Sequence, residues 1–488
     1  MESFKLYING EFTEGSACFN SLNPATAQPW AVIAEAREPE VNAAVEAAAS
    51  AFQSGPWPAM TASGRGKLLL RLADLITRDA DRLARLETLD TGKIIRETRS
   101  QIAYVAEYYR FYAGLADKMD GRTLSIDKAD METWTRREPV GVVAAIVPWN
   151  SQLFLSAVKL GPALAAGCTV VVKAAETAPA PLLALAELFH EAGFPAGVCN
   201  FITGFAAACG TPLTQHKQVN HIAFTGGPAT AQHIVRNSAE NLARTSLELG
   251  GKSPFIVFED ADLESAANAQ VAAIFAASGQ SCVAGSRLLV AERVKAAFIQ
   301  KLVEKVAPIV IGCPQQQETQ FGPLCTERQK TFIQQTVERS LQQGAHLVTG
   351  HYKIEGDGYY YPPTILDCSD SPAADSVMQE LFGPVLSVIS FRDEAEAIAL
   401  ANNTEYGLAA GVFTQNLTRA HRITRQLRCG VVWLNTYRAV SPLAPFGGHG
   451  LSGSGREGGV DAALEYTTTK TVWLRTSDEP IDDPFVMR

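Results

Sequence analysis

The chain has 488 residues, 47% hydrophobic and 19% charged, with a formal net charge of −9 and a pI near 5.5. That length exceeds one ordinary core and predicts two large domains. The acidic balance argues against a nucleic-acid partner, whose phosphates it would repel.

In chain order, residues 4–8 and Phe12 read as a short strand pair. Alanine-rich helices with apolar residues at the 3.6-residue spacing follow over 41–53, 64–76 and 79–92. Residues 102–118 form another helix, carrying Tyr104, Tyr108, Phe111 and Tyr112, a spacing that usually marks core but can also line a cleft. From Val140 the texture becomes strand, helix, strand: strands over 141–147, 169–173, 198–203 and 221–225, with helices over 151–166 and 179–192 that stop at Gly167 and Gly193. Continuous apolar strands joined by helical crossovers indicate a parallel sheet, whose ligands lie beyond the carboxyl ends of its strands. Asn150, Lys173, Gly204 and Thr225 fall at such ends. A second alternating block starts at 254–258, continues with a helix over 262–277 and a strand over 286–291, and runs through a Gly/Pro-rich loop at 312–323. Near the end, 467–474 is β-prone and 479–488 reads as a tail.

No apolar run reaches membrane length, and Met1-Glu2-Ser3-Phe4-Lys5 lacks the apolar stretch of a leader. A cytoplasmic protein without a membrane partner is expected. Nine cysteines without framework spacing read as reduced thiols, eight of them buried structural groups, and the eight scattered histidines offer no metal cluster.

Cys282, in Gly279-Gln280-Ser281-Cys282, is the exception. Upstream lies Glu248, in Leu247-Glu248-Leu249-Gly250-Gly251-Lys252. A thiol needs help to act as a nucleophile at neutral pH, and a thioester needs a base to be hydrolysed. Pro148-Trp149-Asn150 reads either as a turn closed by an Asn cap or as an amide aimed at an oxyanion. Lys173 and Glu176 read as a solvated ion pair or as partners of a cofactor ribose, where a carboxylate favours NAD over NADP. In Phe224-Thr225-Gly226-Gly227-Pro228, glycines at a helix start leave N–H groups free for a pyrophosphate. Glu380-Leu381-Phe382-Gly383-Pro384 and Pro445-Phe446-Gly447-Gly448 taken singly are turns.

Taken together and in this order, the motifs resemble the aldehyde dehydrogenase superfamily, over essentially the whole chain to Ser452-Gly453-Ser454-Gly455-Arg456-Glu457. The resemblance implies an α/β fold of two Rossmann-like domains with parallel sheets plus a small β oligomerisation element. It places the NAD-binding domain at 1–118 and 138–249, the catalytic domain at 250–450, and the arm at 119–137 and 467–488. It implies NAD-dependent oxidation of a small-molecule aldehyde. Cys282 would be the nucleophile, Glu248 the base, and Asn150 with the Cys282 N–H the oxyanion donors, with Lys173 counted in the same catalytic set. Trp149, Gly226, Gly227 and Leu249 would line the cofactor, Glu380 and Phe382 its nicotinamide end, Lys173 and Glu176 its adenosine ribose. Glu248 favours hydrolysis over transfer to coenzyme A. The aldehyde tunnel would be lined by Phe154, Leu155 and Val158, by Ser281 and Val283, and by Tyr437, Arg438, Val440, Leu443 and Phe446, with Tyr104 and Tyr108 contributing. Such walls are apolar and aromatic, suited to aliphatic or aromatic aldehydes. Arg438 is the exception: facing the mouth, it would pair with a substrate carboxylate and indicate a semialdehyde. A cofactor-free thiol esterase is the alternative chemistry.

The chain departs from the family pattern at Ala174, at Gly227-Pro228 with Ala231, and at His449-Gly450. These positions bear on cofactor affinity and leave Cys282, Glu248 and Asn150 intact. The arm segments, as edge strands, would pair with a neighbouring subunit in a homodimer or homotetramer.

Overall fold

The computed structural model describes residues 1–486; the last two residues of the expected arm and tail lie outside them. Two large sheets carry the fold. In the eight-stranded sheet the five central strands are parallel, in the spatial order Arg244–Glu248, Val219–Thr225, Val142–Val147, Thr169–Ala174, Cys199–Thr203. Antiparallel edge strands flank them: Gly453–Ser454 beside Arg244–Glu248, and the hairpin Leu6–Ile8 with Glu11–Thr13 beside Cys199–Thr203. The strand order reverses beside Val142–Val147, between its neighbours Val219–Thr225 and Thr169–Ala174. Connections there leave the sheet in opposite directions, which opens a crevice at the carboxyl ends.

The seven-stranded sheet orders His346–Thr349, Thr364–Asp367, Val385–Phe391, Arg287–Ala291, Pro254–Val257, Ala409–Phe413 and Val431–Leu434, and only the first of these runs antiparallel to its neighbour. The central strands of both sheets are buried on both faces because helices cover each side, which explains their unbroken apolar runs.

Three differences from the expected elements bear on the site. Arg244–Glu248 is a strand although its sequence, Arg-Thr-Ser-Leu-Glu, lacks an apolar run; pairing with Val219–Thr225 supplies what propensity does not. The helix Leu263–Phe275 ends earlier than expected, because Ala277 and Ser278 adopt left-handed backbone (φ 51° and 54°). The helix over Ile95–Leu115 starts a full two turns earlier, so its first turn reaches the site. Two further strands, Ala17–Asn23 and Gln28–Glu35, pair outside the large sheets.

The helix Gln152–Ala166 packs between Ile95–Leu115 and the sheet. Its Gly161 is required there, since a Cβ would lie 2.6 Å from Tyr112 Cδ2. Met131–Pro139 and Thr467–Arg475 pair in antiparallel register over nine residues, with Thr123–Leu124 on the far side of the former. Thr467–Arg475 is thus an edge strand, and it exposes Trp473 and Leu474. No helix among the described residues is long and apolar enough to cross a membrane.

Candidate active site

Chain segments far apart in sequence meet between the two large sheets. Glu248 ends its strand, and the backbone turns through Leu249-Gly250-Gly251 against the Cys282 loop. A Cβ on Gly251 would lie 2.7 Å from the Cys282 carbonyl oxygen, and one on Gly250 would overlap the Glu380 carboxylate. The Gly251 N–H donates to Glu380 Oε1 at 2.9 Å. Ser452, from the C-terminal motif, ties the same turn: its hydroxyl donates to the Gly250 carbonyl, and its carbonyl accepts from Leu249 N–H.

The Cys282 loop is held from several sides. The Ala277 N–H donates to both oxygens of Glu97, from the helix Ile95–Leu115. Ser278 Oγ donates to the Gly322 carbonyl, and Gln280 Oε1 accepts from the Cys325 N–H. Gly279 (φ 73°) lies so close to Gly383 that a Cβ would be 2.3 Å from its carbonyl. Asn150 Nδ2 donates to the Gln280 carbonyl at 3.0 Å, which leaves its second hydrogen free. The Cys282 N–H has no acceptor among the described residues.

Burial, then the charges of Glu380 and Glu248, push the Cys282 thiol up to about 12, with Arg438 pulling the other way. Burial raises the Glu248 carboxyl well above its ordinary range, and Glu457 adds to this while Lys159 and Arg456 oppose it. Both Glu248 oxygens are buried without a hydrogen-bond partner, and Oε1 would lie 2.6 Å from a Cβ on Gly447. Lys159 and Glu457 form a buried ion pair nearby, 298 residues apart in sequence. Neither residue stands out in sequence, because a lysine in the helix Gln152–Ala166 reads as solvated until the fold buries it.

Two cavities share Asn150, Leu155 and Cys282. One, of about 210 Å³, lies at the strand-order reversal and is lined by Trp149, Thr225, Gly226, Gly227, Leu249, Glu380 and Phe382 among others. Thr225 Oγ1 is buried there without a partner, no side chain would obstruct a Cβ on Gly227, and the helix Pro228–Asn237 starts beside it. These features fit a dinucleotide's phosphates and ribose. Trp149 and Phe382 meet edge to face at 5.4 Å, and Phe382 is held at φ 50°. Burial pushes Glu380 up to about 7. Lys173 and Glu176, 3.4 Å apart, sit at the end of the strand Thr169–Ala174 and do not line this cleft.

The other cavity, of about 730 Å³, is lined by Phe154, Leu155, Ser281, Val283, Arg438, Val440 and Tyr104. Lys93, Arg96, Ser100, Gln101, Ser151 and Gln320 also line it, adding polar groups to the expected apolar and aromatic wall. These come mainly from the early start of the helix Ile95–Leu115 and from the residue after Asn150. Several expected wall residues are used for packing instead. Val158 is buried in the core, Tyr108 stacks edge to face on Phe154, and Leu443 is exposed. Tyr437 packs between Phe255 and Trp433 and donates to the Val283 carbonyl, and Phe446 packs with Trp433 behind Cys282. Arg438 is held at φ 61°, an uncommon conformation for a side-chain-bearing residue, and makes no ion pair among the described residues. All nine cysteines are free thiols, and no cluster among the described residues could hold a metal ion.

Residues 12–472 match the family model described as the aldehyde dehydrogenase family. The chain is 68% identical, over the full length of both proteins, to the (Z)-2-((N-methylformamido)methylene)-5-hydroxybutyrolactone dehydrogenase of Acinetobacter baylyi. It is 42% identical to aldehyde dehydrogenase 1 of Tanacetum cinerariifolium, over 98% of this chain and 96% of that one. An NAD+ complex of the aldehyde dehydrogenase from Bacillus cereus superposes with a TM-score of 0.96 at 42% identity, covering 98% of this chain and 97% of that one.

The raised thiol has a measurable consequence. The thiolate fraction grows about tenfold per pH unit below the thiol's pKa, so carbamidomethylation of the Cys282 peptide should keep accelerating from about pH 7 to about pH 10. A plateau below about pH 9 would show that the free enzyme already activates the thiol.

Proposed function

This chain belongs to the aldehyde dehydrogenase family, and from that premise we propose that it oxidises an aldehyde to its carboxylic acid with NAD as acceptor, through Cys282 and Glu248. The reading is carried by one observation: a half-buried thiol and an amide donor meet where two cavities join, and the charge of a buried carboxyl, Glu248, acts on that thiol.

Cys282 Sγ bonds to the aldehyde carbon once its proton has passed to Glu248. The negative charge on the former carbonyl oxygen is held by the free Asn150 amide hydrogen and the Cys282 N–H. NAD, bound in the cleft, supplies the acceptor for the hydride that leaves this carbon. The carbon remains on sulfur as a thioester. Glu248 sheds the thiol's proton to solvent, then takes one from water as the water oxygen adds to the thioester carbon; the C–S bond breaks to release the acid, and that proton returns to the sulfur. The Lys159–Glu457 pair balances the charge changes at Glu248. Glu380 holds the nicotinamide ribose, with Phe382 and Trp149 against the ring. Lys173 and Glu176 hold the adenosine ribose, and the Glu176 carboxylate disfavours the 2′-phosphate of NADP.

The substrate is an aldehyde bearing a carboxylate. The Acinetobacter relative is named for a 5-hydroxybutyrolactone; ring opening of such a lactol gives an aldehyde and a carboxylate on one carbon chain. Arg438, lining the cavity beside Cys282 without an ion-pair partner, supplies the complementary charge. The edge strand Thr467–Arg475, with Trp473 and Leu474 exposed, covers itself against a second copy of the chain, giving a dimer or a dimer of dimers.

Three outcomes are expected. Cys282→Ala abolishes NADH formation, whereas Glu248→Gln forms its first NADH per subunit more slowly than wild type and lowers steady-state turnover roughly 10²- to 10⁴-fold; undiminished turnover in Glu248→Gln would exclude it as the base. Arg438→Gln lowers the preference for 4-oxobutanoate over butanal by about 10- to 100-fold in kcat/KM, and an unaltered ratio refutes the carboxylate contact. Trp473→Glu combined with Leu474→Glu yields monomers by light scattering, and a persisting oligomer would assign assembly to another surface.

A further inference from the structure

The substrate cavity holds a second polar arrangement that the reaction does not use. Ser151 occupies the N-cap of the helix Gln152–Ala166 and makes no side-chain cap hydrogen bond. A serine there ordinarily accepts from the second or third helical N–H. Here its Oγ accepts instead from Lys93 Nζ at 3.1 Å. Lys93 is only 4% exposed and also donates to Glu87 and Gln101, so the three hydrogens of its ammonium are all engaged. Glu87, fully buried, balances its charge. Lys93 therefore has no donor left for a ligand. The hydroxyl hydrogen of Ser151 has no acceptor among the described residues, and the ammonium behind it strengthens it as a donor. Lys93, Gln101 and Ser151 line the same cavity as Asn150, Cys282 and Arg438.

The pattern differs from a merely solvated serine in three ways. The side chain gives up its usual capping bond, its lone pair is fixed by a buried cation, and its hydrogen is thereby directed away from that cation. Arg438 belongs to a different segment, the loop after Val431–Leu434, so the cavity takes its polar groups from separate parts of the chain.

We propose that Ser151 is a specificity-determining residue whose hydroxyl donates to a second acceptor oxygen on the substrate, distinct from the carboxylate paired with Arg438. The preferred substrates are aldehydes with two acceptor groups, a carboxylate and a neutral carbonyl; an amide is taken as the neutral one because the Acinetobacter relative is named for a compound bearing an N-methylformamido group. The proposal rests on the dehydrogenase reading above and adds the second recognition point to it. Lys93 acts through Ser151 and is a positioning residue.

The test compares 4-oxobutanoate with 2-acetamido-4-oxobutanoate, which adds one amide acceptor to the same chain, by NADH formation. Ser151→Ala should lower the preference for the acetamido compound by about tenfold in kcat/KM, expressed mainly in KM, as expected for one lost hydrogen bond. Ser151→Thr, which retains the hydroxyl, should restore it. A preference unchanged in Ser151→Ala, or one that Ser151→Thr fails to restore, overturns the proposal. If the wild-type enzyme makes no Cys282-dependent NADH from any aldehyde, the reaction itself is refuted, and the proposal falls with it; that outcome is distinguishable because it appears before any Ser151 variant is made.

Discussion

The site depends on the absence of Cβ atoms where three backbones converge. Gly251 lies against the Cys282 carbonyl, Gly250 against the Glu380 carboxylate, Gly279 against Gly383, and Gly447 against Glu248. At each of these a methyl group would approach closer than non-bonded atoms tolerate. Cys282, Glu248 and Glu380 are drawn into one region because the chain is thinnest there. Everything else around the site, from the Glu97 clamp on Ala277 to the Ser452 bridge on Gly250, holds those thin segments in register.

That compactness has an electrostatic cost. Glu248 and Glu457 are buried and Glu380 half-buried in the same region, and the protein offsets them unevenly. Lys159 answers Glu457 directly, and Lys252 opposes the raised Glu380 without a hydrogen bond of its own, its ammonium pushed down to about 7 by burial and by Arg287. Glu248 receives no direct partner at all. A carboxylate left without hydrogen bonds holds a proton more tightly than a solvated one, and its ionised form is correspondingly the stronger base.

Much of this was legible in the sequence, and the limits have physical causes. The parallel strands Val142–Val147 and Thr169–Ala174 announce themselves because both their faces are buried. The strand Arg244–Glu248 does not, because it lies near a sheet edge and draws its stability from pairing. Motif order singled out Cys282, Glu248 and Asn150, and the fold brings their segments together. The character of the substrate cavity was not, since it depends on where a helix begins and which way side chains turn: Tyr437 and Val158 point into packing, while Lys93 and Ser151 face the cavity. The Lys159–Glu457 pair was equally invisible, because no local pattern links residues at opposite ends of the chain.

The two cavities touch only at Asn150, Leu155 and Cys282. The molecule is therefore laid out as two rooms with one party wall, and the sulfur stands in that wall. A molecule in either room meets the sulfur from its own side.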